Sequence, residues 1–207
     1  MKFFITALFL FNFCFIGLLQ AQQDDPWQLR ENKDGIPVYT RKVADSPILE
    51  YKSSVTIDAP IHKVIAFFED EKQISRWYYQ CVHSELIETD GPKQKVVYLI
   101  LHLPWPVTAR DIVFQITKFE DLAQGTTNYT IKALPDRLPR AKGMIRVPAI
   151  KTLWIFKSIS EDRTEVFFQQ YSDPGGSIPA FLVNGIAVDT PYFSLKKFRE
   201  LVTQKSI

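Results

Sequence analysis

The chain has 207 residues, 46% hydrophobic and 14% aromatic, with a formal net charge of +2 at pH 7. That composition excludes an intrinsically disordered chain, allows one sizeable buried core, and favours one domain over two. A near-neutral balance with no run of Lys and Arg interleaved with aromatics excludes a nucleic-acid footprint and gives no support to polybasic attachment to a membrane surface.

The first residues read as a separable unit. Lys2 is the only charge before an apolar run from Phe3 to Leu19, and Gln20-Ala21-Gln22 leads into Asp24 and Asp25. This is the layout of a secretory signal peptide over residues 1–21, cleaved after Ala21, and the run is slightly short for a comfortable membrane span. Cys14 lies inside it, but Asn12-Phe13 does not supply the small residues of a lipidation site. The mature chain, residues 22–207, then holds Cys81 alone and cannot close an internal disulfide. Its expected location is the periplasm or the exterior.

No internal repeat or linker interrupts the mature chain, so residues 22–207 read as a single domain. Asp25-Pro26 followed by WQLRENKDG is expected to form a short helix ending at Gly35. IPVYTRKV reads as a strand. Leu49, Tyr51, Ser53, Val55 and Ile57 alternate with more polar residues, as in a strand with one wet face. Asp58 as cap, Pro60 in the first turn and a stripe of Val64, Ile65, Phe67 and Phe68 predict a helix from Pro60 to about Trp77, with a break.

Strands then dominate: CVHSELIE, KVVYLILHL, RDIVFQITKF, TNYTIKAL, a long MIRVPAIKTLWIFKSI, and TEVFFQQYS, joined by turn signals as an antiparallel meander. The chain closes on SIPAFLVNGIAVDTPYFSLKKFREL. Before Asp189 this helix is apolar nearly all round except Asn184, the pattern of a buried helix; from Thr190 onward it is amphipathic. Gly185 and Pro191 weaken it, so it is either a helix that moves over something beneath it or a kinked core helix. The fold class is α+β, and a strongly curved antiparallel sheet wrapped round one long helix would satisfy this order of elements.

Three stretches taken together resemble the START domain, the steroidogenic-acute-regulatory-protein-related lipid-transfer domain of the helix-grip superfamily. They are HLPWPVTARDIV, where Arg110-Asp111 opens a strand after a Pro-rich turn; AKGMIRVPAIKTLWIF; and the tail that begins Gly-Gly-Ser-Ile-Pro and runs to Leu182-Val183-Asn184. With the early segment WQLRENKDGIPVYTRKV the likeness runs from about Trp27 to Leu201. It implies a hydrophobic tunnel between sheet and C-terminal helix, holding one lipid-sized ligand, and an activity of binding or carrying that ligand. One departure stands out. Sterol-handling members carry a second Arg six residues after the first, and Ile116 occupies that position here, with no acid in KVVYLILHL to partner an arginine.

The residues expected to meet the ligand are set by strand and helix parity. Arg110 shares a face with Ile112, Phe114 and Ile116, so it either binds a lipid carboxylate or phosphate or pairs with a structural carboxylate. Tyr98, His102, Tyr129 and Trp154 either line the tunnel or pack in the core. Asn184 either reaches a head group or ties off a backbone group, and Phe181, Val188 and Tyr192 on the same helix complete the set. No His-x-x-x-His or Cys-x-x-Cys spacing occurs, so no metal and no cofactor is expected, and no residue is assigned a catalytic role. The expected partners are a lipid or other hydrophobic small molecule and, transiently, a membrane; the chain is expected to be a monomer. Two alternatives remain open: a helix-grip enzyme of the cyclase or aromatase kind, using His62, His83 or His102, and an interaction module whose cavity is filled by its own side chains.

Overall fold

Asp34 and Gly35 both adopt positive φ, 53° and 71°, and this two-residue turn decides how the chain starts. Such a turn matches the twist of an antiparallel pair, so the segment before it is a strand, β1 (Gln28–Lys33), hairpinned to β2 (Ile36–Val43). The expected short helix is therefore absent. The Asp-Gly turn outweighs the Asp-Pro cap signal. A computed structural model describes residues 26–204, and the proposed signal segment lies outside these residues.

β2 pairs with β3 (Ser46–Ile57), after which the chain leaves the sheet through helix α1 (Ile61–Phe68), a 3-10 turn at Glu71–Gln73 and the one-turn helix α2 (Ile74–Trp77). The expected break is made by Asp70, whose carboxylate accepts the Lys72 N–H at 3.1 Å. Asp58 does not cap α1, which starts after Pro60 without a side-chain cap; it faces Arg163 at 3.2 Å instead.

The remaining strands are β4 (Cys81–Asp90), β5 (Gln94–Leu101), β6 (Arg110–Asp121), β7 (Thr126–Ala133), β8 (Ile145–Arg146), β9 (Ala149–Ser160) and β10 (Arg163–Asp173). The long strand expected from Met144 onward is split at Val147-Pro148, because proline has no N–H to give a ladder. β8 pairs in parallel with β6, and β9 pairs antiparallel with β7 and β10. The sheet runs β1-β2-β3-β10-β9-β7-β6-β5-β4, so it is not a simple meander: the last strand sits between β3 and β9.

The final element, α3 (Ala180–Thr203), lies in the curve of this sheet and continues through Pro191, as a helix-grip fold requires. Its second half carries the anchoring contacts, with Leu195 and Phe198 fully buried. Phe68 centres the aromatic core, 4.8 Å from Tyr129, 4.9 Å from Phe156 and 5.2 Å from Trp154 between ring centroids. The first half departs from the wheel's expectation of burial. Phe181 is 73% exposed and Gly185 is exposed, while Val183 and Ala187 turn inward. An apolar surround does not require that both faces be covered, and here one of them meets solvent.

Candidate ligand-binding cavity

Between sheet and helix lies a cavity in two compartments. The outer holds about 80 Å³ and the inner about 40 Å³, room for a few water molecules each and below the size of small-molecule sites, so a lipid-sized occupant requires the roof to lift or the walls to part. Tyr78, Ile112, Ile150 and Gln170 belong to the walls of both. The outer compartment is roofed by Val183, Ile186, Ala187 and Thr190 of α3 and bordered by Leu103 and Ile178. The inner one is bounded by Phe68, Trp77, Phe114 and Trp154, and Ile116 adds one more apolar surface where sterol-handling relatives are expected to carry a cation.

A polar strut divides the two. Gln170 donates through Nε2 to Tyr78 Oη at 3.1 Å and accepts from Thr152 Oγ1 at 2.9 Å. Tyr51 lies on the outer side, 4% exposed, with its Oη beside the Tyr78 phenol but outside good hydrogen-bond geometry. Burial pushes the phenols of Tyr51 and Tyr78 above their ordinary range, so both stay neutral and able to donate. A buried phenol whose nearest polar neighbour is poorly aligned gains free energy from a better-placed partner.

The two arginines of the quoted motifs are both buried, and they differ in one respect. Arg146 Nη2 lies 2.7 Å from Asp111 Oδ2, with both side chains sealed from solvent, and the same guanidinium donates to the carbonyls of Pro135, Leu138 and Pro139. Parallel pairing of β8 with β6 creates this clasp, setting Ile145 opposite Arg110 and Arg146 opposite Asp111. Arg110 points to the other face of β6, into the outer compartment, and is 2% exposed. It donates to the backbone oxygens of Thr108, Pro174 (3.3 Å) and Gly175 (3.2 Å), and no carboxylate pairs with it among the described residues. Burial lowers its pKa with no acid to offset the effect.

Gly175 and Gly176, at φ 66° and 69°, let that loop close over the arginine: a Cβ on Gly176 would meet Ile145 Cδ1 at 2.9 Å.

Of the other residues expected to meet a ligand, Trp154 borders the inner compartment, stacked on Phe168 at 4.0 Å. Tyr129 is core, closing the far end, where its hydroxyl donates to Glu69 at 2.7 Å. Tyr98 faces outward, 3.5 Å from Asp111, and His102 is exposed beyond the end of β5. Asn184 ties off backbone, accepting from Leu49 N at 3.0 Å and donating to Pro47 O at 3.2 Å. Phe181 points to solvent, Val188 packs on the core, and Tyr192 donates to Asp34 at 2.8 Å. Tyr51, Tyr78 and Gln170 went unread. Gln170 carried a signal, as the polar member of the parity set Val166, Phe168, Gln170.

Asn184 is the main polar tether of the first half of α3, whereas Tyr192, Lys196 and Arg199 all hold the second half to Asp34. Nothing outside the helix comes within 4 Å of where a Cβ would stand on Gly185, so this glycine is not required for close packing. Gly185→Ala is expected to stabilise the fold by about 1 kcal/mol. It should slow release of a bound fluorescent lipid by about fivefold if the helix yields at that point. Unchanged release rates would mean that the roof moves as one piece.

A curved sheet gripping a helix over an apolar, two-compartment cavity defines a ligand-enclosing protein of the helix-grip class. No family model matches the chain. An uncharacterized protein of Pseudomonas aeruginosa is 34% identical over 87% of this chain and 89% of its own length. A solved STAR-related lipid transfer protein from Xanthomonas axonopodis is 34% identical and superimposes with a TM-score of 0.79, covering 87% of this chain and 100% of that one. The rat phosphatidylcholine transfer protein is 27% identical over 78% of this chain and 76% of its own. The chain belongs to the STAR-related lipid-transfer family.

Proposed function

We propose that this protein binds a lipid in the two-compartment cavity and carries it, with the first half of α3 as the movable roof. The observation that carries the reading is an apolar cavity under the less tethered half of a helix whose other half is fixed. The lipid-transfer names of the Xanthomonas and rat relatives support it. Native mass spectrometry of the purified protein, before and after exposure to mixed lipid vesicles, tests it: a bound or exchangeable lipid is expected, and a chain that never takes one up would overturn the reading.

A non-catalytic carrier fits better than an enzyme. Among the described residues no histidine or carboxylate borders either compartment, and His62, His83 and His102 are all exposed. General acid–base chemistry needs such a group within reach of the substrate.

Among the described residues no helix is long and apolar enough to cross a membrane, and the reading here is of transient contact with a bilayer surface. Trp105, 92% exposed, and Phe181, 73% exposed, lie on the two segments whose Leu103 and Val183 border the outer compartment, and both supply apolar surface for a bilayer. The double variant Trp105→Ala, Phe181→Ala should keep the wild-type melting temperature, because neither side chain is buried. Its binding to neutral vesicles should fall by about tenfold, about 1.4 kcal/mol. Undiminished vesicle binding and transfer would remove these residues from the contact. The signal-like segment through Ala21 supports export, with carriage in the periplasm or outside the cell. The protein acts in this reading as a monomer without cofactor.

A further inference from the structure

Arg110 and Arg146 pose a comparison inside one molecule. Both are buried, both are held by three backbone carbonyls, and both stem from the motifs at the start of β6 and in β8. Arg146 has its anion, Asp111, supplied by the protein. Arg110 has none among the described residues, although its guanidinium borders the outer compartment. Carbonyl oxygens solvate a cation without neutralising it, and a buried guanidinium lacking an anion is costly wherever water is excluded. Glycines at 175 and 176 bring the loop carbonyls onto it at close approach, so it is a built position.

We infer that the cavity's ligand is an acidic amphiphile, whose carboxylate or phosphate completes the coordination of Arg110 while its chain extends past the Tyr78–Gln170 strut. This rests on the lipid-binding reading and adds the chemical class of the ligand. Planar guanidinium N–H groups left over by the three carbonyls suit either oxyanion. The Tyr51 hydroxyl in the same compartment, poorly aligned with its Tyr78 neighbour, is a neutral donor for an ester or acid oxygen. Tail length is left to the apolar inner compartment, where no charged residue borders the space.

The test compares matched pairs on the wild-type protein at neutral pH: oleic acid against methyl oleate and oleyl alcohol, and phosphatidic acid against diacylglycerol. Acetate and inorganic phosphate serve as the free-anion arm. We expect at least one acid to bind about tenfold or more tightly than its uncharged counterpart, with the free anions not binding alone. In Arg110→Gln that ratio should fall to about one while the uncharged lipid still binds, and Arg110→Lys should restore part of it. If the glutamine variant fails to fold because the loop staple is lost, the wild-type ratios still decide. Equal affinities for acid and ester would overturn the inference and leave the lipid carrier standing. Binding of acetate or phosphate as strong as that of the lipids would overturn it too, in favour of a small-anion site. Failure of every lipid, charged or not, would remove the carrier reading itself.

Discussion

Asp111→Asn is expected to destabilise the protein by about 3–5 kcal/mol, a large part of a domain's whole stability. The substitution is nearly isosteric, so the loss is one of charge. It leaves Arg146 as a buried cation whose remaining partners are the carbonyls of Pro135, Leu138 and Pro139. Those carbonyls belong to the 134–144 connection, which the clasp holds against β6, so protease cleavage within that connection should also accelerate. Urea denaturation measures the effect. A loss below about 1 kcal/mol would show that the pair is ornamental, as many surface pairs are. The double variant Asp111→Leu, Arg146→Met should recover part of the loss, because removing both charges avoids an orphaned ion.

Trp154→Ala is the second large effect. Its ring is 1% exposed, stacked on Phe168 at 4.0 Å and edge-on to Trp77 at 5.7 Å, so truncation should cost about 3–5 kcal/mol. It also removes a wall of the inner compartment. A lipid should therefore fill more space in the variant, and the gain in stability on adding a long-chain ligand should be larger than in the wild type. Thermal melts with and without ligand decide the matter. An identical ligand-induced shift in both proteins would mean that the chain does not reach Trp154.

The strands and the grip of a sheet on the terminal helix were legible from alternation, turn residues and motif order. Strand parity also placed Arg110 on the inner face, because Ile112, Phe114 and Ile116 share it. What could not be read was anything decided by a distant partner. The Arg110-Asp111 and Ile145-Arg146 segments stood out separately, yet their meeting is a parallel pairing across the 134–144 connection. Tyr98 and His102 sit in a run of apolar residues with no alternation to orient them, next to a strand whose register shifts between Cys81 and His83 and again between Leu86 and Glu88. Asn184 presented a lone amide with two possible uses, and only the position of Pro47 and Leu49 discriminates between them. The helix expected before Gly35 failed on local grounds: the Asp-Gly turn was there to be weighed.

The place of β10 governs how the molecule comes into being. β1, β2 and β3 can pair as neighbours in sequence, and so can β4 to β7, but β10 is the last strand synthesised and the only link between β3 and β9 among the described residues. Until residues 163–173 arrive, those two strands each present an open edge able to recruit another chain. Folding is then governed by pairings far apart along the chain, which places it among slow-folding topologies, on the order of milliseconds to seconds. A chain truncated before Arg163 should aggregate, whereas one truncated within α3 would still have an unbroken sheet from β1 to β4.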